Sequence, residues 1–397
     1  MCGGEIVMAK ARASGEGTVY KNEKRDRWEG QFSYTDPETG EKKRKKVTGT
    51  TQKEVAAKGK AFLDALKEGM LPNAGKITVW EWVERWLEDY AKVSVRIKTY
   101  EKYEQCMKGY IKNTIGHVQM QQLTAPDVQR VFNTMLKTGG RSGKGVSACT
   151  VRNTRQVFSM ALNKAVQVGI VFRNVVRGTE PPRMAKEEIQ PLDVVQVKKL
   201  LKVAGDGEYI YYGVKQRQKP SDDTKYLLPM AEMVLRVALG TGMRQGEVFG
   251  LKWSDIDFKK NTINVQRSLV SSRTKGMIFQ EPKTKTSIRK IAIQKKLSKA
   301  LEKYKKEQEW FATFLGDKFD NKDGLVFTNS FGCPVDAHNF TNRYFKRMLK
   351  QAGVADNFTF HDLRHTHATL LLKKGVNIKV ISERLGHSKI QLTLDGI

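Results

Sequence analysis

The chain has 397 residues, 39% of them hydrophobic and 28% charged, which excludes a disordered chain and is long enough for two to three domains. No stretch approaches the roughly 20 apolar residues of a membrane span, and Cys2, Cys106, Cys149 and Cys333 form no C-x-x-C pair, which excludes a zinc ribbon or a disulfide framework and suits a reducing cytoplasm. With 71 Lys and Arg against 42 Asp and Glu, the formal charge is +29, and an excess of this size points to nucleic acid, through release of the counterions condensed on phosphate.

Residues 1–14 read as a flexible extension, with no basic segment leading into an apolar core as in a signal peptide. Residues 15–72 read as a small sheet-plus-helix module. Trp28, Gly30, Phe32 and Tyr34 alternate with Glu29, Gln31 and Ser33, the period of a half-buried strand. Asp36-Pro37-Glu38-Thr39-Gly40 supplies a turn, and a second strand carries Lys42, Lys43, Arg44, Lys45 and Lys46. Five consecutive cations exceed what protects an edge strand from aggregation, so this strand is expected to meet DNA. Thr51-x-x-Glu54 is a capping box, opening a helix that Gly69 closes.

After a linker at 71–76, residues 77–178 read as an all-helical domain. Thr78-x-x-Glu81 caps a helix with Val79, Trp82, Val83, Trp86 and Tyr90 on one face, a stripe expected to be core rather than a base-stacking platform. Further helices are expected at 98–110, from Thr124-x-x-Asp127 to Leu136, and from Thr150 to Val168. The glycine-rich loop at 138–145 fails the pattern of a phosphate loop, because the spacing breaks at Thr138 and Gly145 replaces the hydroxyl residue. A hinge at 178–183 leads to a mixed α/β domain at 185–397. Its helices are expected at 192–204, 227–240 and 297–314 and from 336 onward; its strands lie between 257 and 293, and a tyrosine-rich insertion spans 205–225.

Chemistry-bearing residues concentrate in that last domain. Arg244 follows an apolar helix in Gly242-Met243-Arg244-Gln245-Gly246-Glu247, and a flexible turn presents its guanidinium. His361 and Arg364 stand three apart on a helix and so share a face. His387 follows Gly386 at a helix end. Two arginines and two histidines brought to one point suit an anion, because guanidinium forks match the non-bridging oxygens of phosphate. Such a cage stabilises the charge of a pentacoordinate phosphorane without a metal. The spacing of His361 and His365 is also that of a helical zinc motif, but Asp362 is shorter than the glutamate which that motif uses as a base, and no metal or other cofactor is expected.

Thr-Gly-Met-Arg-x-Gly-Glu at 241–247, His-Asp-Leu-Arg-His at 361–365 and Leu-Gly-His-Ser at 385–388 resemble boxes of the tyrosine recombinases, especially the integrases of phages and conjugative transposons. The resemblance covers most of the chain. It implies a multidomain α+β protein: an arm-type DNA-binding module, a helical core-binding domain of SAM-like type and a mixed α/β catalytic domain. It further implies double-stranded DNA with core and arm-type sites as partner, a synaptic tetramer, and a bacterial cytoplasm holding a mobile element.

By the same resemblance Arg244 and Arg364 clamp the scissile phosphate, His361 assists proton transfer, His387 hydrogen-bonds the phosphate and Glu247 orients Arg244. Lys283, with Lys285 as the alternative, protonates the leaving 5′ oxygen. The family's nucleophilic tyrosine is expected at position 397, where this chain carries Ile397 after Gly396. The expectation is a recombinase framework that is cleavage-defective and lacks the C-terminal tail that steadies the tetramer. The alternative is a non-catalytic DNA-binding regulator, or a truncated recombinase that acts as a dominant negative.

Overall fold

The computed structural model describes residues 17–35, 42–67, 77–140, 143–184, 190–206, 222–282, 287–387 and 390–394. The chain divides into two compact units, Met1–Ala185 and Lys186–Ile397.

The first unit opens with an antiparallel sheet of three strands in sequence order, Thr18–Asn22, Arg27–Thr35 and Lys42–Gly49. The helix Gln52–Lys67 covers one face. Phe32 is buried beneath it, and a Cβ added at Gly59 would fall 1.8 Å from the Phe32 ring. The helix therefore accepts a residue that costs about 1 kcal/mol in propensity, because only glycine lets it approach so closely. Tyr34 meets Phe62 edge to face at 5.2 Å on the same side. The expected box at Thr51 is half present. The Thr51 hydroxyl accepts from the Glu54 N–H at 3.2 Å, but the Glu54 carboxylate reaches back to the N–H and hydroxyl of Thr50 instead. The turn at 36–40 and the Gly69 stop lie largely or wholly outside the described residues.

The remainder of this unit is helical. At Thr78 both halves of the capping box form, with the Glu81 carboxylate accepting from the Thr78 N–H at 2.8 Å. Trp82 and Trp86 are core residues as expected: Trp82 donates its indole N–H to the Ala161 carbonyl at 2.9 Å, and Trp86 stacks on Tyr103. Such a bond satisfies the one polar atom that burying an indole would otherwise strand. Thr124 and Asp127 cap Ala125–Thr138, with Pro126 in the first turn, and Ser147 caps Ala148–Gln167. The last of these helices begins two residues earlier than its periodicity suggests, because the serine hydroxyl takes the cap.

In the second unit, Val194–Asp206 packs on Asp222–Thr241. The core joins those helices to Phe249, Phe327, Phe340, Phe345 and Phe360, whose rings interlock at centroid separations of 5.2–6.4 Å. The expected strand region at 257–293 divides into a three-stranded antiparallel sheet (Ile256–Asp257, Thr262–Val265, Arg289–Ala292) and a hairpin (Ser268–Ser272, Gly276–Gln280). Helices Lys295–Leu315, Asp362–Lys373 and Ile378–Leu385 follow. Most of the tyrosine-rich insertion lies outside the described residues. No helix among the described residues is long and apolar enough to cross a membrane.

Candidate active site

The site is assembled at a turn. The helix Asp222–Thr241 ends where the Thr241 hydroxyl folds back to the Val237 carbonyl at 2.6 Å and accepts the Met243 N–H. Gly242 has φ +68°, and a Cβ there would lie 2.6 Å from Leu385 and 2.7 Å from the His367 ring. Both the backbone angle and the crowding demand glycine. The turn delivers Arg244 to the start of the short helix Gln245–Phe249.

Glu247, on that helix, is buried and holds Arg244 twice, accepting from its backbone N–H and from its guanidinium, each at 2.9 Å. The same carboxylate takes both terminal nitrogens of Arg289, at 2.9 and 3.2 Å. Burial pushes the Glu247 carboxyl up, but the hydrogen bond and charge of Arg289, with the N–H and charge of Arg244, outweigh it and hold the group below the usual carboxylate range. Glu247 therefore remains an anion between two cations.

Arg364 does different work. Only 3% exposed, it donates to the Gly242 carbonyl at 2.8 Å and to the Leu385 carbonyl at 2.7 Å. It thus ties the turn before Arg244 to the turn before His387. Burial, then the neighbouring charges of Arg244 and Arg289, pull its pKa down to about 9, which still leaves it a cation at neutral pH. The Arg244 side chain is 39% exposed and points a weaker bond, 3.5 Å, at the Gly386 carbonyl.

The histidines complete the wall. His361 reaches solvent at the start of the helix Asp362–Lys373, and its ring meets His365 edge to face at 5.0 Å. Partial burial, then the charges of His365 and Arg364, lower its pKa. Gly386 closes the helix Ile378–Leu385 with φ +69°, which turns His387 back, and the His387 Nδ1 pairs with the Thr393 hydroxyl at 2.8 Å. Burial, then Arg364, Arg244, His361 and His365, hold His387 at about 4. The neighbouring positive charges thus lower His361, Arg364 and His387 together, as expected of a cluster with more cations than carboxylates.

Arg244, Glu247, His361, Arg364 and His387 are thus drawn into one electrostatic cluster. Lys283, Lys285 and Ile397 lie outside the described residues. Among the described residues no group of three or more His, Cys, Asp or Glu side chains is placed to hold a metal ion.

Sequence reading passed over three members of the supporting layer. Arg289 is 6% exposed at its side chain, although its strand position carries the signal: it is two residues before buried Ile291, and period 2 puts both on the inner face. His367 and Arg384 form the other part. The Arg384 Nε–H donates to His367 Nε2 at 3.0 Å, and its terminal nitrogens donate to the carbonyls of Ala292 and Gly240 at 2.8 Å. Because Arg384 can only donate, His367 Nε2 is the unprotonated nitrogen and Nδ1–H donates to the Leu239 carbonyl at 2.7 Å. Burial, then the charge of Arg384, hold His367 at about 4, consistent with that neutral tautomer.

The basic strand is divided by its register. Lys43 lies opposite Tyr34 and Lys45 opposite Phe32, on the helix-covered side, where Lys45 sits over the Phe62 ring at 5.3 Å. Lys42, Arg44 and Lys46 alternate onto the open face, where Lys46 pairs with the enclosed carboxylate of Glu29 at 2.7 Å. The five cations do not share one face.

Comparison with known proteins bears on the family and the fold. Residues 214–395 match the phage integrase family, and residues 78–136 match the phage integrase N-terminal SAM-like domain. A tyrosine recombinase XerC-like protein of Caldanaerobacter subterraneus is 31% identical, over 90% of this chain and 88% of that one. An integrase of Streptomyces ambofaciens is 28% identical, over 97% and 92% of the two chains. Among solved structures, the Tn1549 transposon integrase in complex with transposon right end DNA superposes with a TM-score of 0.63 at 22% identity, over 81% of this chain and 94% of that one. A lambda integrase bound as a dimer to a COC′ core site gives 0.53 at 18% identity, over 95% and 93%. These structural likenesses concern the fold; the sequence relatives carry the family, and the chain belongs to the tyrosine recombinases of phage-integrase type.

Proposed function

We propose that the protein is the site-specific recombinase framework of a bacterial mobile element, built to grip one phosphate of double-stranded DNA. The observation that carries this reading is the arrangement of Arg244, Arg364, His361 and His387 in one cluster, with the buried carboxylate of Glu247 behind Arg244. In this reading Arg244 and Arg364 take the non-bridging oxygens, where charge accumulates as phosphorus becomes five-coordinate. Arg244 is the more exposed partner and Arg364 the buried one. His361 and His387, neutral in the free protein, hydrogen-bond the phosphate and move protons at its oxygens. Lys283, with Lys285 as the alternative, protonates the departing 5′ oxygen. The strand at Lys42–Lys46 and the sheet module at 15–72 meet arm-type sites, the helices of 77–178 meet the core site, and the catalytic domain at 185–397 assembles on DNA in a synaptic tetramer. Relatives solved on DNA, as a dimer on a core site and as a tetramer on a Holliday junction, support that assembly.

Position 397 carries isoleucine, whose hydrocarbon side chain offers no atom to attack phosphorus. In this reading the residue at position 397 forms no 3′-phosphotyrosine link, and the phosphate is clamped without attack from that position. A nicked suicide duplex tests this. No covalent adduct is expected from this chain, and an adduct is expected from a version continued past Asp395 with Thr-Tyr and a family-like tail. An adduct from the chain as written would sink the reading.

Ile397 also supports a second reading, a DNA-binding regulator or dominant-negative partner that occupies sites without chemistry. Mixing the chain with a full-length relative should then depress the relative's recombination in proportion to the ratio of the two. Undiminished recombination at saturating ratio counts against it.

A further inference from the structure

Glu247 lies between two arginines, and only one of them faces the opening. Arg244 is substantially exposed, while the side chain of Arg289 is 6% exposed and makes its bonds inside the protein. Those bonds reach three segments. The terminal nitrogens of Arg289 fork onto both oxygens of Glu247, at 2.9 and 3.2 Å. Its Nε–H donates to the Arg384 carbonyl at 2.7 Å, one residue before the Leu385 carbonyl that Arg364 grips. One nitrogen also donates to the Ser287 carbonyl at 3.0 Å, within its own strand region.

Two physical consequences follow. An Arg244–Glu247 pair alone is neutral, and its carboxylate would cancel the charge that the phosphate needs. With Arg289 added, the three groups carry a net charge of +1, so the positive charge of Arg244 remains available at the open side. Arg289 also fixes the Glu247 plane and the end of the helix Ile378–Leu385 at once, the two supports on which Arg244 and Arg364 rest.

We propose that Arg289 is the positioning residue of the phosphate clamp: it sets the angle and the effective charge of Arg244 through Glu247 and registers the Arg364-bearing turn against it, without touching the phosphate itself. This inference rests on the proposed function, and it adds a residue that acts through others.

The test uses the full chain and a duplex selected from a randomised pool by that chain. A set of such duplexes carries one neutral methylphosphonate at each backbone position in turn. The wild-type protein is expected to lose affinity sharply, about tenfold or more, at the clamped phosphate, as loss of charge-assisted bonds to arginine requires. Arg289→Met should bind the unmodified duplex more weakly and discriminate at that position at least about fivefold less. Arg289→Lys keeps the charge without the fork and should fall between. Glu247→Gln in the Arg289→Met background removes the cancelling carboxylate and should restore part of the discrimination, which a merely structural role for Arg289 would not produce. Thermal melting identifies folded variants, and if Arg289→Met does not fold, Arg289→Lys decides alone, with wild-type discrimination by it overturning the inference. A wild-type protein that discriminates beside a folded Arg289→Met that discriminates equally overturns this inference only. A wild-type protein indifferent to every methylphosphonate overturns the proposed function, and this inference with it.

Discussion

The protein carries two concentrations of positive charge, and they are built oppositely. At Lys42–Lys46 the cations follow one another in sequence, alternate between two faces of a sheet and are mostly exposed, with Glu29 as a partner for Lys46. Around Arg244 and Arg364 the cations come from distant parts of the chain, and Arg364 is buried on carbonyl oxygens. Charge on an exposed strand acts over the screening distance and tolerates any phosphate geometry. Charge held by a bonded frame acts at one point and one angle, because its reorganisation has been completed during folding. The difference separates a surface whose charge suits tracking a polyanion from a site whose charge suits work on one bond.

Arg364→Lys should break the second region most severely. Lysine keeps the charge but cannot span the Gly242 and Leu385 carbonyls, so urea unfolding should show a loss of about 1–3 kcal/mol from the buried acceptor left unpaired. No such loss is expected at Lys42 or Arg44, which are exposed. An Arg364→Lys protein as stable as the wild type would remove the distinction.

The first region should respond through salt instead. Replacing Lys42, Arg44 and Lys46 together by alanine should reduce the slope of log affinity against log salt by about 2, near 0.9 for each phosphate that is no longer neutralised, with Lys46 contributing least because Glu29 already pairs with it. Replacing Lys43 and Lys45 should leave the slope nearly unchanged. Equal slopes for the two variants would mean that the alternation of the strand has no bearing on DNA.

A smaller effect sharpens the comparison by pH. His387 is held at about 4 in the free protein, below its ordinary value, so the unfolded chain takes up its proton first. Stability from this group is therefore full above the unfolded value and declines as pH falls from about 6.5 toward about 4. A phosphate in the cage raises the same pKa, so binding near pH 6 should take up a fraction of a proton and strengthen as pH falls. Calorimetry in buffers of different ionisation heat should detect that uptake, and His387→Gln should diminish it. Uptake unchanged in His387→Gln would place the proton elsewhere.

Much of this organisation was legible in the sequence because it depends on local rules. The boxes at Thr78 and Thr124 announce helix starts, and the stripe of Val79, Trp82, Val83 and Trp86 declares a buried face. The short strings around Arg244, His361 and His387 were readable for a similar reason, since a glycine at positive φ or a first helical turn fixes each one locally. What escaped was the layer beneath. Arg384 has no local pattern that would link it to His367, 17 residues away, or to the carbonyls of Gly240 and Ala292. Arg289 had a signal, its place on the inner face of a strand, but a buried arginine acquires meaning only when its carboxylate partner, 42 residues away, is seen beside it. The Glu54 cap also shifted by one residue, because the Thr50 N–H and hydroxyl together offer the carboxylate two donors.

The most direct measurement of the central claim is phosphate ethylation interference on a selected duplex. If Arg244, Arg364, His361 and His387 hold one phosphate, a single ethylated position per half-site should abolish binding by the wild-type chain, and Arg244→Lys should lose that sensitivity while keeping the weaker, salt-dependent binding elsewhere. An interference pattern identical for the wild-type chain and Arg244→Lys would contradict the claim.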